Sequence, residues 1–333
     1  DSAHLLDLTR GLRDEGITCI IISHKLNEIA AIADSTTVIR DGRTIETLDV
    51  HAGDVNEDRI IRGMVGRDLE HRYPEHTSHP GETLFEVRNW TVAHPDDPER
   101  LVVRKANLTI RAGEIVGLAG LMGAGRTELA RSVFGESWGT KLSGQAFLSG
   151  KPLRGRTVEQ AIDSGLAYVT EDRKVLGLNL LDTIRTSITS AKLKKISPHG
   201  VVDETAETKA AKYYHKAIRI KAPSIEEGVG KLSGGNQQKV VLGKWMFTEP
   251  EVLILDEPTR GIDVGAKYEI YEIINQLADS GKGVLVISSE LPELLGICDR
   301  IYTLSAGVIT GNVPRESADQ ETLMRYMTAR KAD

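Results

Sequence analysis

The chain has 333 residues, of which 40% are hydrophobic and 27% are charged, a balance that is ordinary for a soluble globular protein and leaves room for two domains. Its net charge of −6 disfavours a non-specific nucleic-acid binder, and Cys19 and Cys298 are too few for a disulfide framework or a zinc cluster. No apolar run approaches the roughly 18 residues of a transmembrane helix, and no signal peptide is visible.

The first elements are predicted from apolar spacing. Leucines at helical spacing predict a helix over Asp1–Arg13, and because the sequence opens inside this helix we expect a fragment of a longer protein. The apolar run Ile17–Ile22 predicts a buried strand, and a helix follows at Leu26–Ala33. Asp41-Gly42 is a strong hairpin-turn signal. The strands that it joins are predicted at Thr37–Arg40 and Arg43–Thr47.

The sequence contains a long-range repeat. The segment from Ile22 has a counterpart from Ile287, in which matching residues such as Ser23 and Ser288 are 265 positions apart. A domain-sized repeat predicts two copies of one fold, the first represented only by its last part. We therefore predict the end of the first copy at 1–65, a linker at 66–82, the second copy at 83–316 and a C-terminal helix or tail at 317–333.

The predicted linker is polar, contains proline and has no periodicity. Its histidines, His71, His76 and His79, could be taken for a metal cluster, but their spacing fits no helix or turn that would bring them together. A solvated linker is therefore the favoured interpretation. Beyond it, Leu84–Val87 and Leu101–Ile110 predict strands.

A glycine-rich loop follows the predicted strand Gly113–Leu118 and opens a predicted helix, Thr127–Phe134. This context and the pattern G-x-x-x-x-G-K-[ST] are typical of a P-loop, whose backbone amides cradle phosphates. Arg126 stands where the pattern has lysine. The positive charge is kept, but it is carried by a planar, forked guanidinium and not by a compact ammonium. The predicted nucleotide-binding residues here are Gly120, Gly123, Ala124, Gly125, Arg126, Thr127 and Glu128.

Oxygen-bearing side chains predict a magnesium site beside this loop. The apolar run Val252–Leu255 reads as a central strand and delivers Asp256 and Glu257 to its carboxyl end, where ligand sites of open α/β sheets lie. Asp256 and the Thr127 hydroxyl can hold Mg²⁺, and Glu257 can polarise an attacking water. Glu128 follows Thr127 directly, and a carboxylate so close to a triphosphate is electrostatically unfavourable unless it is paired with a cation.

A second anion seat is predicted at Ser233, Gly234 and Gly235. These residues open the predicted helix Gln237–Phe247, and a hydroxyl followed by glycines leaves backbone N–H groups free at the positive end of the helix dipole. Farther upstream, Asp203–Ile220 is also predicted to be helical.

In this order, the three motifs resemble the Walker A loop, signature helix and Walker B strand of ATP-binding-cassette (ABC) ATPases. The resemblance implies binding of ATP with Mg²⁺. It also implies an α/β P-loop NTPase fold with a parallel-sheet core, an antiparallel β subdomain and a helical subdomain at about 172–245. By the same resemblance Asp263 falls in the D-loop, Glu171 replaces the Q-loop glutamine near the metal, and Ser289 replaces the switch histidine that contacts the γ-phosphate. The first copy keeps a histidine, His24, at that last position.

Five sequence motifs are similar to those in the second cassette of bacterial monosaccharide-import ATPases, the ribose, galactose, xylose and arabinose group. The motifs are GAGRTE, EDRK, LSGGNQQK, LDEPTRGIDVGAK and ISSELPE. The resemblance covers Leu84 to about Met327, plus Asp1–Met64 as the end of a first cassette. It implies an ATPase that energises monosaccharide import, peripheral to the cytoplasmic face of the bacterial inner membrane. Its implied partners are membrane permease subunits, the missing first cassette and, indirectly, a periplasmic or extracellular sugar-binding protein, with no nucleic acid.

Cassettes of this family pair head to tail, so each nucleotide lies between one Walker A loop and the other cassette's signature. Ser233–Gly235 and His24 would therefore complete a site on the missing first cassette. Gly120–Thr127, Asp256 and Glu257 would form the other site. His24 and Glu257 are the residues that the resemblance makes catalytic.

Two alternatives stay open at this point. One alternative is a regulatory cassette that binds nucleotide but hydrolyses little of it. Departures from the common ABC pattern at Arg126, Glu128, Glu171 and Ser289 favour this alternative, whereas the presence of Glu257 argues against it. A non-transport ABC ATPase in translation or DNA repair would need a long charged linker, a coiled-coil insertion or a basic face, none of which the sequence contains.

Overall fold

A computed structural model describes residues 2–22, 26–40, 42–50, 59–60, 62–63, 73–153 and 156–329. The chain divides into two units, one formed by residues 1–72 with 262–269 and the other by residues 73–261 with 270–333. Within the described ranges, no helix combines the length and the apolar character that a membrane span requires.

The first unit contains the predicted hairpin. Its strands are each two residues longer than predicted and pair antiparallel from Ser35 opposite Asp49 to Arg40 opposite Arg43. Gly42 has a φ of 74°, which the turn requires and which glycine adopts without strain. The elements of this unit are α1 (Ser2–Asp14), α2 (Leu26–Ile32), β1 (Ser35–Arg40) and β2 (Arg43–Asp49).

The strand prediction at Ile17–Ile22 is wrong. These residues form no strand, and the side chains of Ile20 and Ile22 are 90% and 98% exposed. A buried parallel strand needs neighbours that accept and donate its backbone hydrogen bonds, and no strand among the described residues pairs with this run. An apolar run therefore gives a strand only where the rest of the sheet is present.

The second unit contains two sheets. In chain order its strands are β3 (Thr83–His94), β4 (Asp97–Arg111), β5 (Ile115–Gly120), β6 (Thr140–Leu148), β7 (Lys151–Pro152), β8 (Leu166–Val169), β9 (Val252–Asp256), β10 (Gly283–Ile287), β11 (Arg300–Ser305) and β12 (Val308–Pro314). One sheet has the order β12-β11-β5-β10-β9-β8, with every pair parallel except β11–β12. The other sheet has the order β4-β3-β6-β7 and is antiparallel.

Helices flank these sheets. They are α3 (Arg126–Val133), α4 (Val158–Asp163), α5 (Ile184–Thr189), α6 (Glu204–Ala217), α7 (Gly234–Met246), α8 (Val264–Asp279), α9 (Leu291–Ile297) and α10 (Gln320–Thr328). A π-helical turn lies at Arg173–Gly177, and 3₁₀ turns lie at Ser190–Ile196, Pro198–Gly200, Val229–Lys231 and Arg315–Ser317. α5 packs against α6 and α7, which confirms the predicted helical subdomain. The two sheets confirm the predicted parallel-sheet core and antiparallel β subdomain.

Part of the predicted linker, from Tyr73 onward, belongs to the second unit and packs within it. The His76 side chain is only 3% exposed, with Nδ1 3.4 Å from Asp279 Oδ1. Asn275 Nδ2 donates to the carbonyls of Pro74 and Glu75, at 3.4 and 3.3 Å. The solvated interpretation is therefore wrong at His76, because an imidazole and neighbouring carbonyls find partners on α8. Within the described residues, no three potential ligands form a metal-holding group.

A buried ion pair joins the two sheets. Arg300 donates from Nε to Glu114 Oε1 at 2.7 Å and from Nη2 to Oε2 at 3.0 Å. Glu114 is only 4% exposed and also accepts the backbone N–H of Arg111, at 2.9 Å. Arg300 Nη2 donates in addition to the Thr109 carbonyl on β4, at 2.6 Å. The pair therefore fixes the start of β11 to the turn between β4 and β5.

We expect Glu114→Ala to lower the free energy of unfolding by about 3–5 kcal/mol, because it leaves the Arg300 charge and the Arg111 N–H without their buried acceptor. The matched control is Glu321→Ala, which removes an exposed pair with Arg325 and should cost about 0.5 kcal/mol or less. Urea unfolding of both variants measures the difference. Equal losses would contradict a structural role for the buried pair.

Candidate functional site

Four neighbouring strands of the parallel sheet end at one edge and bring the predicted motifs together. The glycine loop follows β5, Glu171 follows β8, Glu257 follows β9, and Ser288 and Ser289 follow β10. Because β5, β10, β9 and β8 are consecutive neighbours, these residues occupy adjacent positions at the carboxyl edge, where open α/β sheets bind ligands.

The glycine loop has the backbone that a P-loop needs. Gly123 and Gly125 have φ of 76° and 104°, in the region that glycine reaches without strain. A Cβ at Gly125 would lie 2.8 Å from the Val102 carbonyl oxygen, so a side chain would clash there. Gly125 also precedes α3 and supplies no side-chain cap. The first N–H groups of α3 therefore stay available to an anion.

Asp256 is fully buried at the end of β9. Its Oδ2 accepts a hydrogen bond from the Tyr168 hydroxyl at 2.8 Å, while its Oδ1 is buried with no protein partner. Burial raises the pKa of Asp256, whereas the hydrogen bond from Tyr168 and the nearby Thr127 hydroxyl lower it. A buried oxygen without a partner, next to a threonine hydroxyl, fits the hard oxygen ligands that Mg²⁺ takes.

Glu257 is held by two side chains. Ser289 Oγ donates to Oε2 at 3.2 Å, and Arg126 Nη1 lies 3.6 Å from Oε1. Only 11% of the Glu257 side chain is exposed, and this burial raises its pKa, although Ser289 and Arg126 oppose the shift. Its backbone φ of 47° is unusual for a non-glycine residue and costs of the order of 1 kcal/mol or more. The structure therefore stores strain at the predicted catalytic carboxylate.

Arg126 has protein partners on both sides. Besides approaching Glu257, its Nη1 donates to the Ser288 carbonyl at 2.7 Å, and only 12% of the side chain is exposed. The planar guanidinium therefore bridges the loop after β5 and the residues after β9 and β10. Its contact with phosphate stays a prediction.

The signature residues lie at the start of α7. Ser233 is the N-cap in an extended conformation, but its hydroxyl accepts from Asn236 Nδ2 at 3.0 Å and caps no backbone N–H. Gly234 and Gly235 are the first helical residues. The N–H groups at this helix start therefore lack a side-chain acceptor from Ser233, as the anion-seat prediction requires.

Glu171 and Asp263 have protein partners, and their roles toward nucleotide or metal stay predictions. Glu171 forms an ion pair with Arg260. Asp263 belongs to the first unit, where its Oδ1 accepts the Ala266 N–H at 2.9 Å at the start of α8. His24 lies outside the described residues.

Sequence reasoning assigned no role to two residues that the structure places here. Tyr168 donates a hydrogen bond to Asp256. The sequence signal for this contact was a tyrosine within a buried strand, because a buried tyrosine hydroxyl needs a hydrogen-bond partner. Arg173 donates from Nη1 to the Arg260 carbonyl at 2.8 Å and from Nη2 to the Gly261 carbonyl at 3.4 Å. Nothing in the sequence indicated these carbonyl partners.

Residues 103–260 match the protein family described as ABC transporter. Over 328 residues the chain is 61% identical to the L-arabinose transport ATP-binding protein of Geobacillus stearothermophilus, covering 98% of this chain and 64% of that protein. It is 48% identical to the xylose import ATP-binding protein of Thermoanaerobacter pseudethanolicus, covering 99% of this chain and 65% of that protein. The ribose import ATP-binding protein of Clostridium perfringens is 43% identical, with 98% and 63% covered. The chain thus spans about two thirds or slightly less of the length of these relatives.

Solved structures show the same fold. An ATP-binding cassette of an ABC transporter in its ADP conformation superposes with a TM-score of 0.61 at 16% identity, covering 75% of this chain and 100% of that one. A nucleotide-free cassette gives a TM-score of 0.62 at 17% identity, with 74% and 100% covered. At such identities the likeness speaks for the fold alone. The chain has the α/β P-loop fold of an ABC ATPase cassette.

Proposed function

We propose that this chain binds ATP with Mg²⁺ and belongs to the ATP-binding subunit of a bacterial monosaccharide importer, in which ATP hydrolysis energises uptake of the sugar. The observation that carries the proposal is the pair of buried carboxylates after β9. Asp256 has an oxygen without a protein partner, and Glu257 lies between Ser289 and Arg126. Three similar proteins are described as ATP-binding proteins for L-arabinose, xylose and ribose, which are all pentoses and so support a pentose as the transported monosaccharide.

In the proposed reaction the glycine loop and the start of α3 bind the phosphates of ATP through backbone N–H groups. Thr127 and Asp256 would hold Mg²⁺, which supplies positive charge to the phosphate oxygens when it is bound. Tyr168 fixes the Asp256 carboxylate by its hydrogen bond to Oδ2, so that Oδ1 stays free for the ion.

Glu257 orients and polarises the attacking water. Its raised pKa makes the ionised carboxylate a stronger base than that of an exposed glutamate. The carboxylate is ionised, and so able to accept a proton, at pH values above this pKa. Ser289 and Arg126 approach different oxygens of the carboxylate, which limits its rotation. Proton acceptance therefore falls to a carboxylate that is already positioned before nucleotide binds.

The signature start, Ser233–Gly235, is proposed to seat the γ-phosphate of a nucleotide on the missing first cassette. His24 is proposed as a catalytic contact, and Asp263 is proposed as a nucleotide-binding residue. The proposed partners are that first cassette, membrane permease subunits and, through them, a periplasmic or extracellular sugar-binding protein. The proposed location is the cytoplasmic face of the inner membrane. Glu171 is proposed as a further residue of the Mg²⁺ site, where its carboxylate would lie near the ion if it exchanged its pairing with Arg260.

A second candidate function is a regulatory cassette that binds nucleotide and hydrolyses little of it. The observation in its favour is that Arg126 already donates to the Ser288 carbonyl and approaches Glu257, so its charge is shared with protein groups. The substitution of Glu257 separates the two candidates.

We expect Glu257→Gln to lower kcat for ATP about a hundredfold or more, because an amide cannot accept the proton of the attacking water. The nucleotide dissociation constant should change by about twofold or less. Phosphate release by the native polypeptide that carries this sequence measures the first quantity, and a fluorescent nucleotide measures the second. Glu251→Gln, at the opposite end of β9, is the control. Turnover that survives Glu257→Gln would favour the regulatory candidate.

We expect Ser289→Ala to move the acid limb of the pH–rate profile to higher pH. The Ser289 hydrogen bond lowers the pKa of Glu257, so its loss raises that pKa further. Because the ionised carboxylate is the active form, activity is lost as pH falls through the pKa, and a higher pKa places this loss at higher pH. Ser280→Ala, which removes a hydroxyl bonded to the Leu277 carbonyl at the end of α8, should leave the profile unchanged.

We expect Asp256→Asn to leave the thermal stability of the nucleotide-free chain unchanged or higher. Burial raises the folded pKa of Asp256, so ionisation destabilises the fold increasingly as pH rises from the unfolded pKa to the folded one, and fully above it. The variant should instead lose the stabilisation by MgATP, which is about 2.7 kcal/mol at a ligand concentration of a hundred times Kd. Thermal melts with and without MgATP measure both effects. Full MgATP stabilisation of the variant would remove Asp256 from the metal site.

A further inference from the structure

Three segments of the second unit meet at the side chain of Arg173. The residue itself begins the π-helical turn Arg173–Gly177, which follows Glu171 after β8. Its Nη1 donates to the Arg260 carbonyl at 2.8 Å and its Nη2 to the Gly261 carbonyl at 3.4 Å, in the loop after β9. A Cβ built on Gly234 would lie 2.8 Å from the same Nη2, so the start of α7 packs directly against the guanidinium.

The loop that Arg173 contacts also carries Glu257. The Arg260 N–H donates to the Glu257 carbonyl at 3.1 Å, which closes a tight turn over these residues. The Glu257 backbone in this turn has the strained φ of 47°. Strained conformations persist only where their surroundings hold them in place. Arg173 bonds the carbonyls of Arg260, the last residue of this turn, and of Gly261, the residue after it.

The segment after β8 and the loop after β9 are joined by a second contact, in which the side chain comes from the loop after β9. The Arg260 guanidinium forms an ion pair with Glu171, while the Arg173 guanidinium bonds the Arg260 backbone. The two arginines therefore form a reciprocal clasp between the segment after β8 and the loop after β9. This arrangement needs the planar fork of arginine, because one lysine ammonium on a flexible stem cannot replace donors directed at two successive carbonyls.

Among the residues that the structure describes, the Arg173 guanidinium has no carboxylate hydrogen-bond partner, and its buried Nε has no acceptor. Burial lowers the pKa of Arg173, whereas the charge of Asp172 raises it. A partly buried cation that bonds carbonyls and leaves one donor unpaired is not expected to stabilise the fold strongly. Its contacts do provide a geometric link between the segments that it touches.

We propose that Arg173 is a positioning residue, which ties the Glu257 turn to the start of α7 and so holds the catalytic carboxylate in fixed register with the anion seat at Ser233–Gly235. The inference rests on the proposed function for its catalytic consequence, but the mechanical link exists in the chain without nucleotide. Loss of the fork should loosen both segments together.

The first test measures hydrogen exchange, without nucleotide, in the native polypeptide that carries this sequence. Arg173→Ala should speed exchange about tenfold or more for the hydrogen-bonded amides of Glu257 and Arg260 in the turn and of Gln237 in the first turn of α7, while the thermal midpoint changes little. Lys174→Ala, which removes an exposed cation at the next position, is the matched control and should leave both segments unchanged. Unchanged exchange, or faster exchange in only one segment, would overturn the link. Arg173→Lys keeps the charge but not the fork and should behave as the alanine variant does, which provides a second variant if alanine impairs folding.

The second test uses ATP turnover by the native polypeptide. Arg173→Ala and Arg173→Lys should each lower kcat about tenfold with KM within about twofold, because the carboxylate is mispositioned while the glycine loop is intact. In a Glu257→Gln background, Arg173→Ala should have no further effect, since the two residues then act through one step. Full activity of Arg173→Lys would mean that charge alone suffices and would overturn the proposal. Absence of Glu257-dependent turnover in the unmodified protein would instead count against the proposed function, and the exchange result would still decide the link.

Discussion

Parallel pairing of β5, β10, β9 and β8 is the constraint on which the site depends. The pairing places Leu118 opposite Ile287 and Ile287 opposite Asp256, so the last residues of β10 and β9 lie in one row with a residue near the end of β5. Such strands are covered on both faces and must be apolar, which explains why β9 and β10 are buried along their whole length. Polar residues can appear only where the strands stop, and they therefore gather at one edge.

At that edge the fold separates the roles of two adjacent carboxylates by giving them different neighbours. Asp256 is surrounded by the hydroxyls of Tyr168 and Thr127, whereas Glu257 meets Ser289 and the Arg126 guanidinium. Burial raises the pKa of both. One carboxylate thus keeps an oxygen for a cation, and the other is poised as a base. Pairs of acids whose environments differ in this way commonly divide their chemistry.

The sequence predicted the elements whose signal is local. The glycine loop, the strand before Asp256 and the hairpin around Gly42 follow from residue pattern alone, and the structure places them as predicted. The pattern failed at Ile17–Ile22, where strand formation depends on hydrogen-bonding neighbours that periodicity does not report. It also underestimated β3, because register shifts interrupt the alternation along its length. Long-range contacts such as that of Arg173 with the Arg260 carbonyl leave no sequence signal, since any residue has a carbonyl to offer.

The approach of β4 to the glycine loop has a mechanical consequence. The Val102 carbonyl oxygen lies so near the backbone of Gly125 and Gly307 that an added Cβ would be 2.8 and 2.3 Å from it. The loop therefore rests on a strand of the antiparallel sheet, which blocks displacement of the loop toward that strand. A residue without any reactive group thus limits how far the glycine loop can move, and the length and packing of β4 become part of how stiffly the nucleotide would be held.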